Sequence, residues 1–355
     1  MFCQIYAKGG EGYPAQTMTT QSQLDAILHG AAFAPITDRA FLRITGPDAT
    51  RWLNGMVTNN IKDLSPGEGN YNFLLNAQGR IQGDCTIYRE PGDGDPTFLL
   101  ETDTAQLETI HQLLDKFIIM DDVELRSELI IGGNPWEGAG LLICGTEAPQ
   151  ILKKFFSDKY ENPLSAALAV GSLSEARANG TSALILLSPR STVTRYEVWF
   201  EGEKELSLEQ DILAQSGVIP LSPEALELYR ILSATPRYGT DIRNTETAKD
   251  LPQETAQTHA LNFNKGCYLG QEIVERIHSR GAVHRTFAQF TLSGPVPTLP
   301  AVLELNGKTV GELTSAAVIP MPEGDTALAL GYARLEALNQ PLTYPGGTAT
   351  HRTRK

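Results

Sequence analysis

The chain has no apolar run approaching the ~20 residues that a membrane-spanning helix needs, so no membrane partner is expected. Cysteine is scarce: Cys3, Cys85, Cys144 and Cys267 lie far apart, with no CxxC pair among them. That spacing excludes a disulfide scaffold and a self-contained zinc or iron-sulfur site, and it fits a reducing compartment, so a soluble cytoplasmic protein is expected. Positive charge is short as well, with 29 Lys and Arg against 42 Asp and Glu, a net charge of −13. Such an acidic chain cannot coat nucleic acid through a general phosphate-neutralising surface, which leaves room only for a local basic patch.

What is present is an ordinary globular composition, 41% hydrophobic and 20% charged. At 355 residues the chain exceeds what one hydrophobic core usually organises, so two or three domains are expected. Met1 to Gln16 carries scattered Gly and Pro, one lysine and no apolar segment, and does not read as a secretory signal. Residues 1–20 are expected to be a disordered extension. Because an amphipathic stretch follows Met18-Thr19-Thr20-Gln21, the alternative is a translation start at Met18.

Ala40 to Ile44 reads as a strand, and Gly46-Pro47-Asp48 as a turn into a helix through Trp52 and Leu53. The pattern returns about a hundred residues later. Leu42 to Ala49 lies over Leu141 to Ala148 without a gap, and Leu53 then falls on Leu152. Each copy leads to a further strand and helix: Thr97 to Leu100 then Leu107, Ile110, Leu114 and Phe117; later, Tyr196 to Phe200 then Leu208, Ile212 and Leu213. Two similar α+β modules are therefore expected, at 21–130 and 131–285. The alternative is chance recurrence of a common punctuation: strand, glycine turn, acid, helix.

Ser222-Pro223-Glu224 is a helix start, with a serine cap, proline in the first turn and an acid favoured by the dipole, and the helix should run to about Ser233. Pro236 to Gly270 has little periodicity, which in a compact domain marks a functional loop. From 286 to 355 the pattern turns to β: Phe287 to Leu292, Val302 to Leu305, an Asn306-Gly307 hairpin turn, Thr309 to Leu313 and Ala327 to Ala333. A small separate barrel is expected there.

The chemistry is expected at Lys265-Gly266-Cys267-Tyr268-Leu269-Gly270-Gln271-Glu272, just before a short helix over Gly270 to His278. Lys265 and the helix dipole would both favour the Cys267 thiolate. His259, His278 and His284 fall nearby with Arg276, Arg280 and Arg285, a basic neighbourhood suited to an anionic small molecule. The plainer alternatives stay open: a solvated helix with Glu272 paired to Arg276, and a buried structural cysteine.

That octapeptide resembles the signature of the YgfZ-type folate-binding proteins. Shorter matches accompany it at Leu53-Asn54-Gly55, Thr58-Asn59, Asn76 to Ile81, Pro236-Arg237-Tyr238-Gly239, Leu251-Pro252-Gln253-Glu254, Gly311 to Ser315 and Leu328 to Tyr332. The family is related to the aminomethyltransferase (T-protein) of glycine cleavage. This resemblance implies an α+β fold, a three-domain cloverleaf of two similar α+β modules and a small C-terminal β-barrel around a central channel. It also implies tetrahydrofolate as cofactor, with Lys265, Tyr268, Gln271, Arg230, Arg237, Arg276 and Arg285 as its contacts. Cys267 would be the functional thiol, and Asp84 stands near the place of the transferase's acid. Leu232 stands where the transferase has its pterin-binding glutamate; the YgfZ-type relatives are instead associated with maturing or repairing iron-sulfur proteins, so the resemblance implies support of iron-sulfur proteins, through iron-sulfur client or assembly partners. Nucleic acid would enter only through an indirect role in RNA modification. The alternatives are a folate-dependent aminomethyl or one-carbon transferase using Asp84, and a folate-sensing module without chemistry.

Overall fold

The computed structural model describes residues 18–92, 94–128, 140–159, 171–178, 181–189, 194–200, 217–246, 248–281 and 283–353. The expected extension Met1 to Gln16 and the helix through Leu208, Ile212 and Leu213 lie outside these residues.

The chain opens with α1 (Thr20–His29) and β1 (Ala31–Ile36). Next come β2 (Arg39–Thr45), α2 (Ala49–Met56), β3 (Gly69–Leu75), β4 (Ile81–Arg89), β5 (Phe98–Asp103), α3 (Thr104–Asp115) and β6 (Glu124–Glu128). Strands β2 to β6 form one antiparallel sheet in the order β3-β4-β5-β2-β6. Its faces are both covered, which is why β3 and β4 bury nearly every residue instead of alternating. One face carries Trp52, Leu53, Ile87 and Ile110, and the other carries Tyr71, Phe73 and Ile81 against Tyr268 and Val274.

The second sheet uses β7 (Gly140–Cys144), α4 (Ala148–Lys159), β8 (Leu173–Ala178), β9 (Thr181–Leu187), β10 (Arg195–Phe200) and β11 (Val218–Pro220). Its order is β11-β1-β7-β10-β9-β8. Setting β11 aside, β8-β9-β10-β7-β1 repeats β3-β4-β5-β2-β6 strand for strand, so the duplication extends to topology. Both copies turn from strand to helix on a glycine at φ +117°, Gly46 and Gly145. There a Cβ would collide with the carbonyl of Asp122 in one copy and of Gly30 in the other. Those two carbonyls also accept N–H bonds from Asp48 (3.3 Å) and Glu147 (2.9 Å). Leu53 and Leu152, aligned by sequence, are each almost wholly buried. Burying one leucine contributes about 1.5–3 kcal/mol.

The edge strand differs in origin. Strand β6 follows its own module, whereas β1 precedes both modules and pairs antiparallel with β7, Ala32 opposite Cys144. Strand β1 therefore belongs to the second sheet, with α1 packed beside it, whereas the sequence placed 21–130 in the first module and 1–20, whose Thr20 begins α1, in an extension. A pattern of apolar residues marks a strand but not its pairing partner, and β1 neighbours β2 only along the chain.

Helix α5 (Pro223–Leu232) starts on Ser222, whose side chain accepts the Ala225 N–H, and ends at Ser233, as expected. It packs against α1 and the barrel in a cluster that includes Leu24, Ile27, Leu228, Ile231, Phe287 and Leu330. The aperiodic stretch contains two 3-10 turns, Pro252–Thr255 and Thr258–Ala260, and leads into α6 (Gln271–Arg280). Strands β12 (Arg285–Ser293), β13 (Ala301–Leu305), β14 (Lys308–Ile319), β15 (Thr326–Arg334), β16 (Leu342–Tyr344) and β17 (Gly347–His351) close a barrel in the order β12-β15-β14-β13-β16-β17. Among the described residues no helix is long and apolar enough to cross a membrane.

Gly46→Ala and Gly145→Ala are each expected to lower the unfolding free energy by about 2–4 kcal/mol, from backbone strain and a displaced carbonyl. Gly92→Ala, which meets nothing within 4 Å, should leave it unchanged. Urea denaturation of the three variants checks this.

Candidate functional site

The signature octapeptide docks on the first sheet through backbone contacts. Gly270 and Gly79 both have positive φ, +82° and +69°. A Cβ on Gly270 would come 2.5 Å from the Asn76 carbonyl, and one on Gly79 would come 2.8 Å from Cβ of Ile273. Only glycine permits this approach of the Asn76–Arg80 turn to the start of α6. Upstream, the Leu269 N–H donates to Gly55 O (3.0 Å) and the Asn262 N–H to Thr58 O (3.1 Å). Thr58 Oγ1 donates to Ala260 O at 2.7 Å, and Asn59 Nδ2 to His259 O at 2.9 Å. The short motifs Leu53 to Gly55, Thr58-Asn59 and Asn76 to Ile81 thus form one dock for the octapeptide.

Lys265 is buried within this dock. Its Nζ donates to the carbonyls of Val57 (2.6 Å) and Asn59 (2.5 Å) and lies 5.0 Å from the Tyr268 ring centroid. Burial pushes the ammonium down to about 7. Its hydrogen bonds go to carbonyls, not to a thiol or an incoming anion. Tyr268 is buried with a hydroxyl lacking a hydrogen-bond partner, and burial together with the nearby Glu275 charge raises its pKa. Gln271 turns its Oε1 back onto the Tyr268 N–H (3.2 Å), a local brace at the helix start. Cys267, between these fixed residues, is exposed and unbridged, while Cys85 and Cys144 are buried. The buried-cysteine alternative therefore fails for Cys267. Arg276 is also exposed and makes no ion pair among the described residues, so the pairing with Glu272 does not form.

Asp84 sits wholly buried on β4. Tyr71 Oη donates to its Oδ2 (2.5 Å) and Gln106 Nε2 to its Oδ1 (2.8 Å). The Tyr71 ring stacks on His259 at 5.5 Å, which links this carboxylate to the dock. Tyr238, whose phenol is pushed up mainly by burial and in part by the Asp84 charge, donates to Gln82 O at 2.6 Å. His278 stacks on Phe263 (3.8 Å).

Arg230 and Arg285 face different tasks from those the sequence assigned. Arg230 spends its guanidinium on Glu227 (2.9 and 2.7 Å), the Thr235 carbonyl (2.9 Å), Asp241 (2.6 Å) and Ser315 Oγ (2.7 Å). These five bonds equal its five N–H donors, so it ties α5 to the following loop and to β14 of the barrel. Asp241, wholly buried, also accepts from Thr314, Ser315 and the Arg237 N–H. Arg285 pairs with Asp250 (2.8 Å) and Glu254 (2.9 Å) and lies over the Tyr332 ring at 4.9 Å. Asp250 is raised by burial, the largest effect on it, while Arg243 and Arg285 pull the other way. Arg237 is half exposed and has one side-chain bond, to Glu227 (2.6 Å). Beside Arg285 lies a cleft of about 590 Å³ between the α6–β12 connection and the barrel, lined in part by His284 and Arg334.

The site residues named from sequence therefore do not converge. Lys265, Tyr268, Gln271 and Cys267 form the docked loop, Asp84 a buried acid behind it, Arg230 with Arg237 one inter-unit joint and Arg285 another. Sequence reasoning missed Asp241, Asp250, Gln106 and Glu227, the partners that consume those charges. Asp241 and Asp250 lie in the aperiodic stretch, and that was the available signal.

A family model described as the GCVT N-terminal domain matches residues 11–256, well over half of the chain. The chain belongs to this family. Among curated relatives it is similar to an iron-sulfur cluster assembly factor IBA57 homolog, mitochondrial, of Neurospora crassa (27% identity over 81% of this chain and 59% of that protein). It is also similar to an aminomethyltransferase of a Geobacillus species (23% identity, 91% of this chain and 85% of that protein). The chain thus spans about three fifths of the length of the assembly-factor relatives it matches. Among solved structures, the glycine cleavage system aminomethyltransferase T from Bartonella henselae shares the fold, with a TM-score of 0.80 and 17% identity over 99% of this chain and 95% of that one.

Removing the Arg230 guanidinium leaves Asp241 buried beside neutral groups. Arg230→Met is expected to cost about 3–5 kcal/mol in chemical denaturation. Arg237→Met, at a half-exposed pair, should cost under about 1 kcal/mol in the same measurement.

Proposed function

We propose that this protein supports the assembly or repair of iron-sulfur proteins, with Cys267 as its functional thiol. The observation that carries the reading is an exposed thiol set on a loop pinned by backbone contacts at both ends. A thiolate is both nucleophile and soft-metal ligand, and it is useful to a partner only where it can be reached. The iron-sulfur cluster assembly role for which the Neurospora crassa relative is named supports the same direction. A cluster takes about four thiolate ligands, so a single Cys267 would hold one in passing or share it with a client.

Tetrahydrofolate enters this reading through the family, and its glutamate tail is the part that an open cation on this chain could meet. Its glutamate carboxylates need a cation that is open to solvent with donors to spare, which describes Arg237 and Arg276; Arg230 has spent all five donors, Lys265 is buried on two carbonyls, and Arg285 keeps donors but is already neutralised by Asp250 and Glu254. Asp84, near the place of the transferase's folate-activating acid, already accepts from Tyr71 and Gln106 and is wholly buried. Folate binding in this reading thus rests on Arg237 and Arg276 and on the family.

A second reading, folate-dependent aminomethyl transfer with Asp84 as the acid-base group, is favoured by the even coverage of the aminomethyltransferase relatives and by the dry setting of that carboxylate. Leu232, at the place of the transferase's glutamate, opposes it. Cells lacking the protein and complemented with variants separate the two. Cys267→Ser should abolish the restored activity of iron-sulfur enzymes while Asp84→Asn retains most of it; the reverse pattern establishes the transferase. Calorimetric titration with tetrahydrofolate should show binding weakened roughly tenfold by Arg237→Ala, a loss of about 1.4 kcal/mol.

A further inference from the structure

Lys265 is a buried cation that meets no carboxylate. Its side chain runs from the octapeptide into the first sheet, where Nζ bridges the carbonyls of Val57 and Asn59 at 2.6 and 2.5 Å, with the Tyr268 ring at 5.0 Å. Those carbonyls belong to the segment that leaves α2, the same segment whose Gly55 O and Thr58 O accept the loop's Leu269 and Asn262 N–H groups. Lys265 is the one side chain of the octapeptide that crosses to this segment by hydrogen bonds, and Cys267 is two residues away. As ammonium it offers three donors and as neutral amine two, so either form serves both carbonyls.

We propose that Lys265 is a positioning residue: it staples the Cys267 loop to the Val57–Asn59 carbonyls, so that the thiol is held at a fixed place on the surface for a partner. The proposal deepens the reading of Cys267 as the functional thiol and rests on it. The physical basis is the asymmetry of buried hydrogen bonds. Two carbonyls enclosed by the docked loop would be stranded without the lysine, so the loop opens and hydrates them instead of staying closed. Gly266 between the staple and the thiol contributes no side chain to resist that opening, and nothing lies within 4 Å of where its Cβ would be.

The test attaches a nitroxide to Cys267 in a Cys3→Ser background, Cys85 and Cys144 being buried, and records the electron paramagnetic resonance line. The unsubstituted protein should give a broad, restricted line. Lys265→Met keeps the apolar stem and removes every donor. In it the line should narrow, and hydrogen exchange at the Leu269 amide should rise on the order of tenfold, the factor that about 1.4 kcal/mol of lost closure produces, with exchange in the barrel strands unchanged. Lys265→Gln, one bond shorter and able to reach one carbonyl at most, serves if the methionine variant does not fold, and it should narrow the line to a lesser degree. A line as broad as in the unsubstituted protein, in either folded variant, overturns the staple.

Cellular iron-sulfur enzyme activity is read in parallel on unlabelled protein. If Cys267→Ser retains it, the functional reading falls while the line shapes still decide the staple. If Cys267→Ser loses it and Lys265→Met narrows the line, activity in Lys265→Met should drop at least tenfold.

Discussion

The approach of two backbones, Gly79 to Gly270, is the constraint on which the site depends. It lets the Asn76–Arg80 turn touch the start of α6 with nothing between them, at a separation no side chain permits. Once that contact is made, the direction of α6 is set, Val274 falls into the cluster on the outer face of the first sheet, and the residues before Gly270 run back along the segment after α2. Cys267 stays at the surface while Lys265 and Tyr268 on either side of it are drawn inward.

Polar groups at the centre of the molecule are arranged by the same economy. Two buried acids are each met by several donors: Asp241 by Arg230, Thr314, Ser315 and the Arg237 N–H, Asp250 by Arg243 and Arg285. These joints connect α5, the aperiodic stretch and the barrel, three parts that share little other regular hydrogen bonding. A wrong mutual orientation would leave a carboxylate dry and unpaired, which is a strong selector for one arrangement. Arg230 and Arg285, which looked like ligand contacts, are fasteners of this assembly.

Much of the fold was legible because its punctuation is local. Gly46 and Gly145, Ser222 with Pro223, and Asn306-Gly307 each impose a backbone state that only a few residue types tolerate, and each element they bound is where it was expected. Strand β1 was misplaced because pairing is non-local, and β16 and β17 went unseen because three to five residues carry little pattern. The site was legible as a place and not as a mechanism. A sequence displays the charge of Lys265 or Arg230 but not the carbonyls of Val57, Asn59 and Thr235 that absorb it, since every residue owns a carbonyl and none advertises it.

The borrowed edge strand also has a history in time. A ribosome delivers β1 well before its antiparallel partner β7, which is about 110 residues further along. At about 5–20 residues per second, several seconds pass in which the first module can be synthesised and folded while β1 waits with an open edge. The Gly30 carbonyl that receives the Glu147 N–H is part of the same deferred joint. Until β7 and β11 emerge, β1 is an apolar strand with neither partner made, the form in which a passing chaperone, or a second nascent copy, would find something to hold.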